Sequence, residues 1–389
     1  MSNKVDPNFM RELEPFGLKD ASKCYNCGTC TAICDLATPE NPFPRKMVRY
    51  VQLGQKEKLM KSPEPWLCYY CGDCSSRCPR GAEPGETMMA VRRYLISLYD
   101  WTGFARKFYT SETFEIATIT IVALLIGLGM VIFRSNTPNM QHPALNSVWP
   151  SHSIEKADLL MAAILSFFLL TNVYRCVKMV LGDYFAKIPL GLYLSELKSL
   201  IINFLTQKEF GKCKDRKQWF VHLMIMTGYA SIFLMVVVLI NGLTIESLKF
   251  QRDWPEYSIF HPIRLIGYYA TFAIMYGTTY ALVGRLRKSK PVYKNSHPTD
   301  WTFLILLQLT TLTGILVNFT RLLDLAMATY VIYVIHMMIA IPMLVLEVPF
   351  AKWAHLAYRP VVLFLLRVRA NYIAEQTAMQ AAGASRPAL

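Results

Sequence analysis

Cys24-Tyr-Asn-Cys27-Gly-Thr-Cys30-Thr-Ala-Ile-Cys34 and Cys68-Tyr-Tyr-Cys71-Gly-Asp-Cys74-Ser-Ser-Arg-Cys78-Pro79 decide how this chain is read. Both runs have the spacing C-x2-C-x2-C-x3-C, in which a compact loop wraps three corners of a [4Fe–4S] cubane and the fourth Cys ligates the other cluster. One cluster is therefore expected on Cys24, Cys27, Cys30 and Cys78, and the other on Cys68, Cys71, Cys74 and Cys34. Paired C-x2-C motifs also build four-thiolate zinc sites, but two complete four-cysteine runs favour clusters. Eight of the ten cysteines fall in residues 24–78; Cys176 and Cys213 fit no ligand spacing and are read as inert. Met1 to Gly17 contain no apolar stretch of signal-peptide type, so this segment is expected in the cytoplasm. There disulfides are rare, and clustered thiols point to metal or redox chemistry.

Between the runs, Pro44-Arg-Lys-Met-Val-Arg-Tyr-Val-Gln-Leu-Gly54 has a Pro start, helical spacing of apolar residues and a Gly stop. A β-type ferredoxin would need short strands here. The pattern instead predicts an α-helical, ferredoxin-like domain over residues 1–98, followed by a linker at 99–112.

Beyond the linker the composition changes. The whole chain is 53% apolar and only 17% charged, which excludes a single soluble globule, a disordered chain and a collagen-like one. Six apolar stretches, at about 114–133, 158–181, 219–243, 262–284, 301–321 and 326–350, are each long enough to cross a hydrocarbon core of about 30 Å as a helix. Residues 188–206 are also apolar, but Glu196, Lys198 and Asn203 make an interfacial or docking helix the better reading. The predicted fold is all-α: the two-cluster ferredoxin domain, then a six-helix transmembrane bundle over 113–358. A basic tail at 359–389 is expected to become disordered from Ala381.

The net charge of +14 could serve nucleic acid or a membrane surface. Its placement beside the apolar spans argues for membrane topology and against nucleic acid. Connection 182–218 carries seven Lys or Arg and 285–300 carries five, whereas 134–157, 244–261 and 322–325 share four. By the positive-inside rule the first two connections and both termini are cytoplasmic, in a multi-pass protein of the cell inner membrane.

A membrane partner for iron–sulfur clusters must carry electrons in the bilayer, and bis-histidine haem b is a common means. His222 starts the third span at its cytoplasmic end, His336 lies on the outer half of the sixth, and His355 follows that span on the inner side. Imidazole is an established axial ligand, and ionisable residues in spans are functional candidates. His222 and His355 sit at similar depth and could clamp one haem; hydrogen-bonded or interfacial histidines are the alternative. Nineteen residues at 1.5 Å separate His336 from His355 by about 28 Å, so those two cannot share an iron. His261, before Pro262, is either a helix cap or a second ligand for an outer haem on His336. His142, His152 and His297 are read as loop residues. Arg175 and Arg264, inside spans, are candidates for haem propionates, with Asp183 or Asp324 as alternative partners. Glu347 is read as a proton relay or as half of an ion pair.

The cysteine runs, the intervening helix and Trp66-Leu-Cys68 resemble the small iron–sulfur subunit of heterodisulfide reductase. No Cys-Cys dipeptide occurs, so the cysteine-rich motif of the larger reductase subunits is missing. The membrane half is similar in plan to the cytochrome b subunits of respiratory nitrate reductase and membrane-bound heterodisulfide reductase. Their fusion resembles the membrane subunit of quinone-interacting membrane-bound oxidoreductases of sulfate reducers. That resemblance implies menaquinol as donor, haem b in the membrane, and cytoplasmic flavin- and iron–sulfur-containing partner subunits feeding adenylylsulfate reductase. It places His222 and His355 at the inner haem and His336 at the outer one. The family's fourth ligand would fall about ten residues after His222, where Ser231 and Ile232 stand. The function expected is therefore quinol-dependent electron transfer. The alternatives are a heterodisulfide or sulfite-pathway acceptor, or a membrane-tethered redox sensor or anchor without quinol chemistry.

Overall fold

Pro44 and Gly54 bracket the first substantial helix, α1 (Arg45–Gln52), which turns Met47, Val48 and Val51 inward. Gly54 has φ +62°, and a Cβ there would meet the Asp6 carbonyl oxygen at 2.1 Å. Only glycine can end the helix at that approach. The computed structural model describes residues 4–235 and 260–384. Among the described residues every regular element is helical, as the sequence predicts.

The second helix, α2 (Pro84–Tyr99), is buried at every residue except Leu98, although it carries Glu86, Arg92 and Arg93. It lies between the cysteine loops and the membrane half. The 99–112 connection is ordered. Asp100 Oδ1 accepts from the Thr102 amide and Oδ2 from the Ala105 amide at 2.9 Å. These bonds start a short helix, Phe104–Thr110, that buries Ala105, Phe108 and Tyr109.

The remaining long helices are α3 (Glu112–Ile132), α4 (Ser151–Leu181), α5 (Leu190–Thr206), α6 (Arg216–Phe233), α7 (Pro262–Leu286), α8 (Pro298–Leu322), α9 (Ala326–Pro342) and α10 (His355–Ala384). Four helical segments among the described residues are long and apolar enough to cross a membrane: α3, α4, α8 and α9 with its extension to Phe350. Their sides expose Leu124, Leu125, Leu128, Leu159 and Leu160, an apolar surface suited to lipid. The sequence predicts six spans. The third runs beyond the described residues after Met235, as does most of the 244–261 connection. The fourth, α7, has the length, but Arg264, Tyr268, Tyr269, Tyr276 and Tyr280 make it more polar than the other four.

The sixth span and α10 are not one helix. Pro342 ends α9, a π-helical turn follows at Met343–Glu347, and Ala351 (φ −124°, ψ −146°) breaks the chain. The separation of about 28 Å, which assumes a straight helix from His336 to His355, therefore does not apply. α10 runs through the expected tail as far as Ala384 and packs on α5 and α4. Asn371 donates to Glu196 Oε1 at 2.9 Å, tying α10 to α5. Residues 385–389 of the tail lie outside the described residues.

A single core joins the two halves: Phe9, Phe16, Trp66, Tyr94 and Tyr99 pack with Cys176 and Val180 of α4 and with Tyr358 and Val362 of α10. Beside it Arg93 and Lys352 both bind the buried Asp300 carboxylate, at 3.2 and 2.5 Å.

Candidate redox centres

The duplicated cysteine spacing folds into duplicated backbone. Asn26 and Gly28 have φ +66° and +88°; Tyr70 and Gly72 have +56° and +86°. These turns aim the Asn26 amide at Cys24 Sγ (3.4 Å) and the Tyr70 amide at Cys68 Sγ (3.3 Å). A third amide, of Ala82, reaches Cys78 Sγ at 3.4 Å. Amides donating to sulfur favour the thiolate that a cluster needs.

Cys34 leaves its own run and lines a small cavity with Cys68, Cys71 and Cys74. Cys30 lies within electrostatic range of Cys24 and Cys27, and Tyr25 within range of both Cys27 and Cys78. Among the described residues no three His, Cys, Asp or Glu side chains close on one ion position. Burial pushes the Cys34 thiol up to about 11, so iron would supply the positive charge that holds it as thiolate. The cages differ in setting: Cys68 and Cys74 are buried, whereas Cys27 and Tyr25 are exposed.

His222, near the start of α6, and His355, the first residue of α10, face each other with ring centres 6.1 Å apart. His222 Nδ1 lies 2.8 Å from Gln207 Oε1, and His355 Nδ1 lies 2.6 Å from the Lys352 carbonyl. Both partners are acceptors, so each Nδ1 carries the proton and each Nε2 keeps its lone pair. Two imidazoles on one metal, each nitrogen about 2 Å from it, place their ring centres roughly 6 Å apart. The observed ring separation matches that distance, and Gln207 and the Lys352 carbonyl fit the outer partners that orient ligating histidines.

The cavity beside these histidines is lined by Arg92, Arg93, Arg285, Lys352 and Arg359, with Tyr69 and Phe210. Asp300 lines it too and holds Arg93 and Lys352; the net positive charge that remains suits anionic propionates. Arg359 lies one turn after His355 and donates to the carbonyls of Cys68 (2.7 Å) and Trp66 (3.2 Å). Arg92 reaches the same Cys68 carbonyl at 3.1 Å, and its burial, with Arg359 nearby, draws it down to about 9. Phe210 stacks on Tyr69 with centres 4.6 Å apart and meets the His222 ring edge-on at 5.6 Å. A chain of rings thus runs from the histidines to the residue after Cys68. Sequence reading missed Arg92, Arg359, Gln207 and Phe210. Only the four-residue step from His355 to Arg359 was visible as a shared helix face.

The other candidates lie elsewhere. His336 bonds Thr313 Oγ1 at 2.9 Å and packs by Gly314 on α8. His261 caps α7 by accepting from the Ile263 amide, the cap alternative of its two readings. Arg175, expected near a propionate or an acid, donates to the carbonyls of Tyr99 (2.8 Å) and Leu98 (3.1 Å). It caps the C-terminal end of α2, where unpaired carbonyls collect. Arg264 lines a separate cavity of about 1000 Å³ between α7 and α8, with Tyr268 and Asn318.

A family of 4Fe-4S dicluster domains matches residues 23–83. Over 88 residues the chain is 33% identical to a protein of Archaeoglobus profundus that is like the C subunit of heterodisulfide reductase, covering 22% of this chain and 47% of that protein. Over 96 residues it is 33% identical to the iron-sulfur C subunit of the CoB–CoM heterodisulfide reductase of Methanopyrus kandleri, covering 23% and 50%. Over 88 residues it is 34% identical to the C subunit of the ferredoxin:CoB–CoM heterodisulfide reductase of Methanosarcina acetivorans, covering 23% and 34%. The chain thus spans about half the length, or less, of these curated relatives. No solved structure matches it. The cysteine-bearing N-terminal region is a 4Fe–4S dicluster domain homologous to the C subunit of heterodisulfide reductase.

Proposed function

We propose that the chain is the membrane electron-transfer subunit of a quinol-dependent oxidoreductase. In this reading it lies in the inner membrane with both termini cytoplasmic, holds haem b between His222 and His355, and binds two [4Fe–4S] clusters. One cluster takes Cys24, Cys27, Cys30 and Cys78, and the other takes Cys68, Cys71, Cys74 and Cys34. Menaquinol is the donor. The acceptors are cytoplasmic flavin- and iron–sulfur-containing subunits that supply adenylylsulfate reductase in sulfate respiration. The observation that carries the reading is the His222–His355 pair, 6.1 Å apart, one helical turn from the arginine that grips the Cys68 loop.

Haem and clusters supply one-electron carriers, which quinol oxidation needs because it releases two electrons and two protons. The chain's residues set the order. His222 and His355 hold the membrane end, with Phe210 and Tyr69 bridging to Cys68. The buried second cage stands next, and the exposed first cage, at Cys27 and Tyr25, faces outward to a partner. Arg92 and Arg359 hold the Cys68 loop against the histidine cavity. His336 is the candidate for a second, outer haem or for the quinol site.

Purified full-length protein should contain about eight iron atoms with matching acid-labile sulfide and a low-spin haem. His222→Ala and His355→Ala should each remove that haem. Loss of one haem from both His222→Ala and His336→Ala, with His355→Ala silent, would refute the pairing. The similarity to the C subunit of heterodisulfide reductase favours a second reading, with a heterodisulfide or related disulfide reductase as acceptor. Reduction by menaquinol analogues in the presence of each candidate acceptor separates the two. A protein without haem absorption would point instead to a redox anchor.

A further inference from the structure

Cys213, which fits no ligand spacing, stands at the second cage. It comes from the membrane half, in the loop between α5 and α6, where the turn Phe210–Lys212 ends on it and its amide donates to the Phe210 carbonyl at 3.0 Å. It is 4% exposed and lines the cavity formed by Cys34, Cys68, Cys71 and Cys74. Its thiol and that of Cys71 lie within interaction range across that cavity. The loop that presents it is held at both ends: Gln207 takes His222 Nδ1, and Phe210 stacks on Tyr69.

We propose that Cys213 is a fifth sulfur of the second cluster site, donating its S–H to Sγ of Cys71 and thereby raising that cluster's reduction potential. The inference rests on the two-cluster reading. Cys34, Cys68, Cys71 and Cys74 fill the four iron corners, which leaves Cys213 no iron to bind and a proton to give. A hydrogen bond to a ligand sulfur offsets charge on the cluster and favours its reduced form; such bonds are among the levers that set iron–sulfur potentials. Cys213 therefore acts through Cys71 as a positioning residue. One loop supports a haem-side histidine and tunes the cluster nearest to it.

The test is a redox titration of both clusters by electron paramagnetic resonance in the full-length protein, with iron and sulfide measured alongside. Cys213→Ala should keep about eight iron atoms while one cluster shifts to lower potential and the other stays. For a bond that changes the reduced-to-oxidised ratio about tenfold, the shift is about 59 mV. Cys213→Ser, which keeps a donor, should restore the wild-type value or exceed it. If Cys213→Ala does not assemble, Cys213→Val and Cys213→Ser carry the same comparison. Unchanged potentials in the donor-less variants would overturn the proposal. Loss of about half the iron would also overturn it, by making Cys213 a ligand. Wild-type protein with fewer than two clusters would instead bring down the two-cluster reading, before any variant is made.

Discussion

Arg359 shows how one side chain can couple two sites. Its guanidinium is buried, bonds the carbonyls of Trp66 and Cys68 and lies over the Tyr69 ring at 4.2 Å. Arg359→Gln leaves the Trp66 carbonyl without its charged donor and the Cys68 carbonyl with Arg92 alone, a loss of about 2 kcal/mol, and should alter the spectrum of the second cluster while the haem band persists. Cys34→Ser probes the crossing between runs: it should damage the cluster of the second run and spare the first. His297, read from the sequence as a loop residue, caps α8 by accepting from the Thr299 amide at 3.3 Å, and it is the pH-sensitive contact. Burial, with Arg93 nearby, draws its pKa down to about 4, below the ordinary value of about 6.5. Between those values the unfolded chain takes up the proton and the folded chain does not, so stability falls as pH drops from about 6.5 toward 4. At pH 5.5 the loss amounts to about 1 kcal/mol. His297→Asn, which keeps a capping side chain, should reduce the fall in melting temperature between pH 7.5 and 5.5. A wild-type-sized fall in the variant would remove His297 from that role.

At the scale of elements, α10 carries the coupling because His355 and Arg359 lie one turn apart on it. One alanine inserted after Leu356 rotates everything beyond it by about 100°. The haem should survive, since His355 precedes the insertion, whereas the second cluster should lose its wild-type potential or its iron. Haem content and cluster signals, read on the same preparation, check this. α1 was legible because Pro44, the apolar spacing and Gly54 act locally. α2 was not: Glu86, Arg92 and Arg93 look like a solvated face until their partners are known. Arg93 meets Asp300, Arg92 meets the Cys68 carbonyl, and the Tyr70 hydroxyl donates to Glu86. Buried charge is tolerated where a partner from a distant element meets it, and such partners leave no local pattern. The break at Ala351 matches the end of the apolar run at 350, whereas the π-helical turn at Met343–Glu347 left no local pattern.

The whole molecule is one iron–sulfur unit set on a half built of helices long and apolar enough to cross a membrane, through a shared core and the Arg93–Asp300–Lys352 cluster. The positive-inside reading makes a checkable claim about its orientation. An impermeant thiol reagent applied outside the cell should label Pro150→Cys and leave Lys290→Cys untouched; labelling at 290 would invert the topology. Composition and spacing by themselves determined the all-α class, the two four-cysteine runs and the presence of membrane-length apolar helices. Each of these depends on local chemistry or on hydropathy summed along a short stretch. The tertiary structure alone decided that His222 stands 6.1 Å from His355, that Arg175 caps α2, and that Cys213 shares a cavity with Cys71. Each of these joins side chains from separate elements, and their meeting depends on how the helices pack across the core.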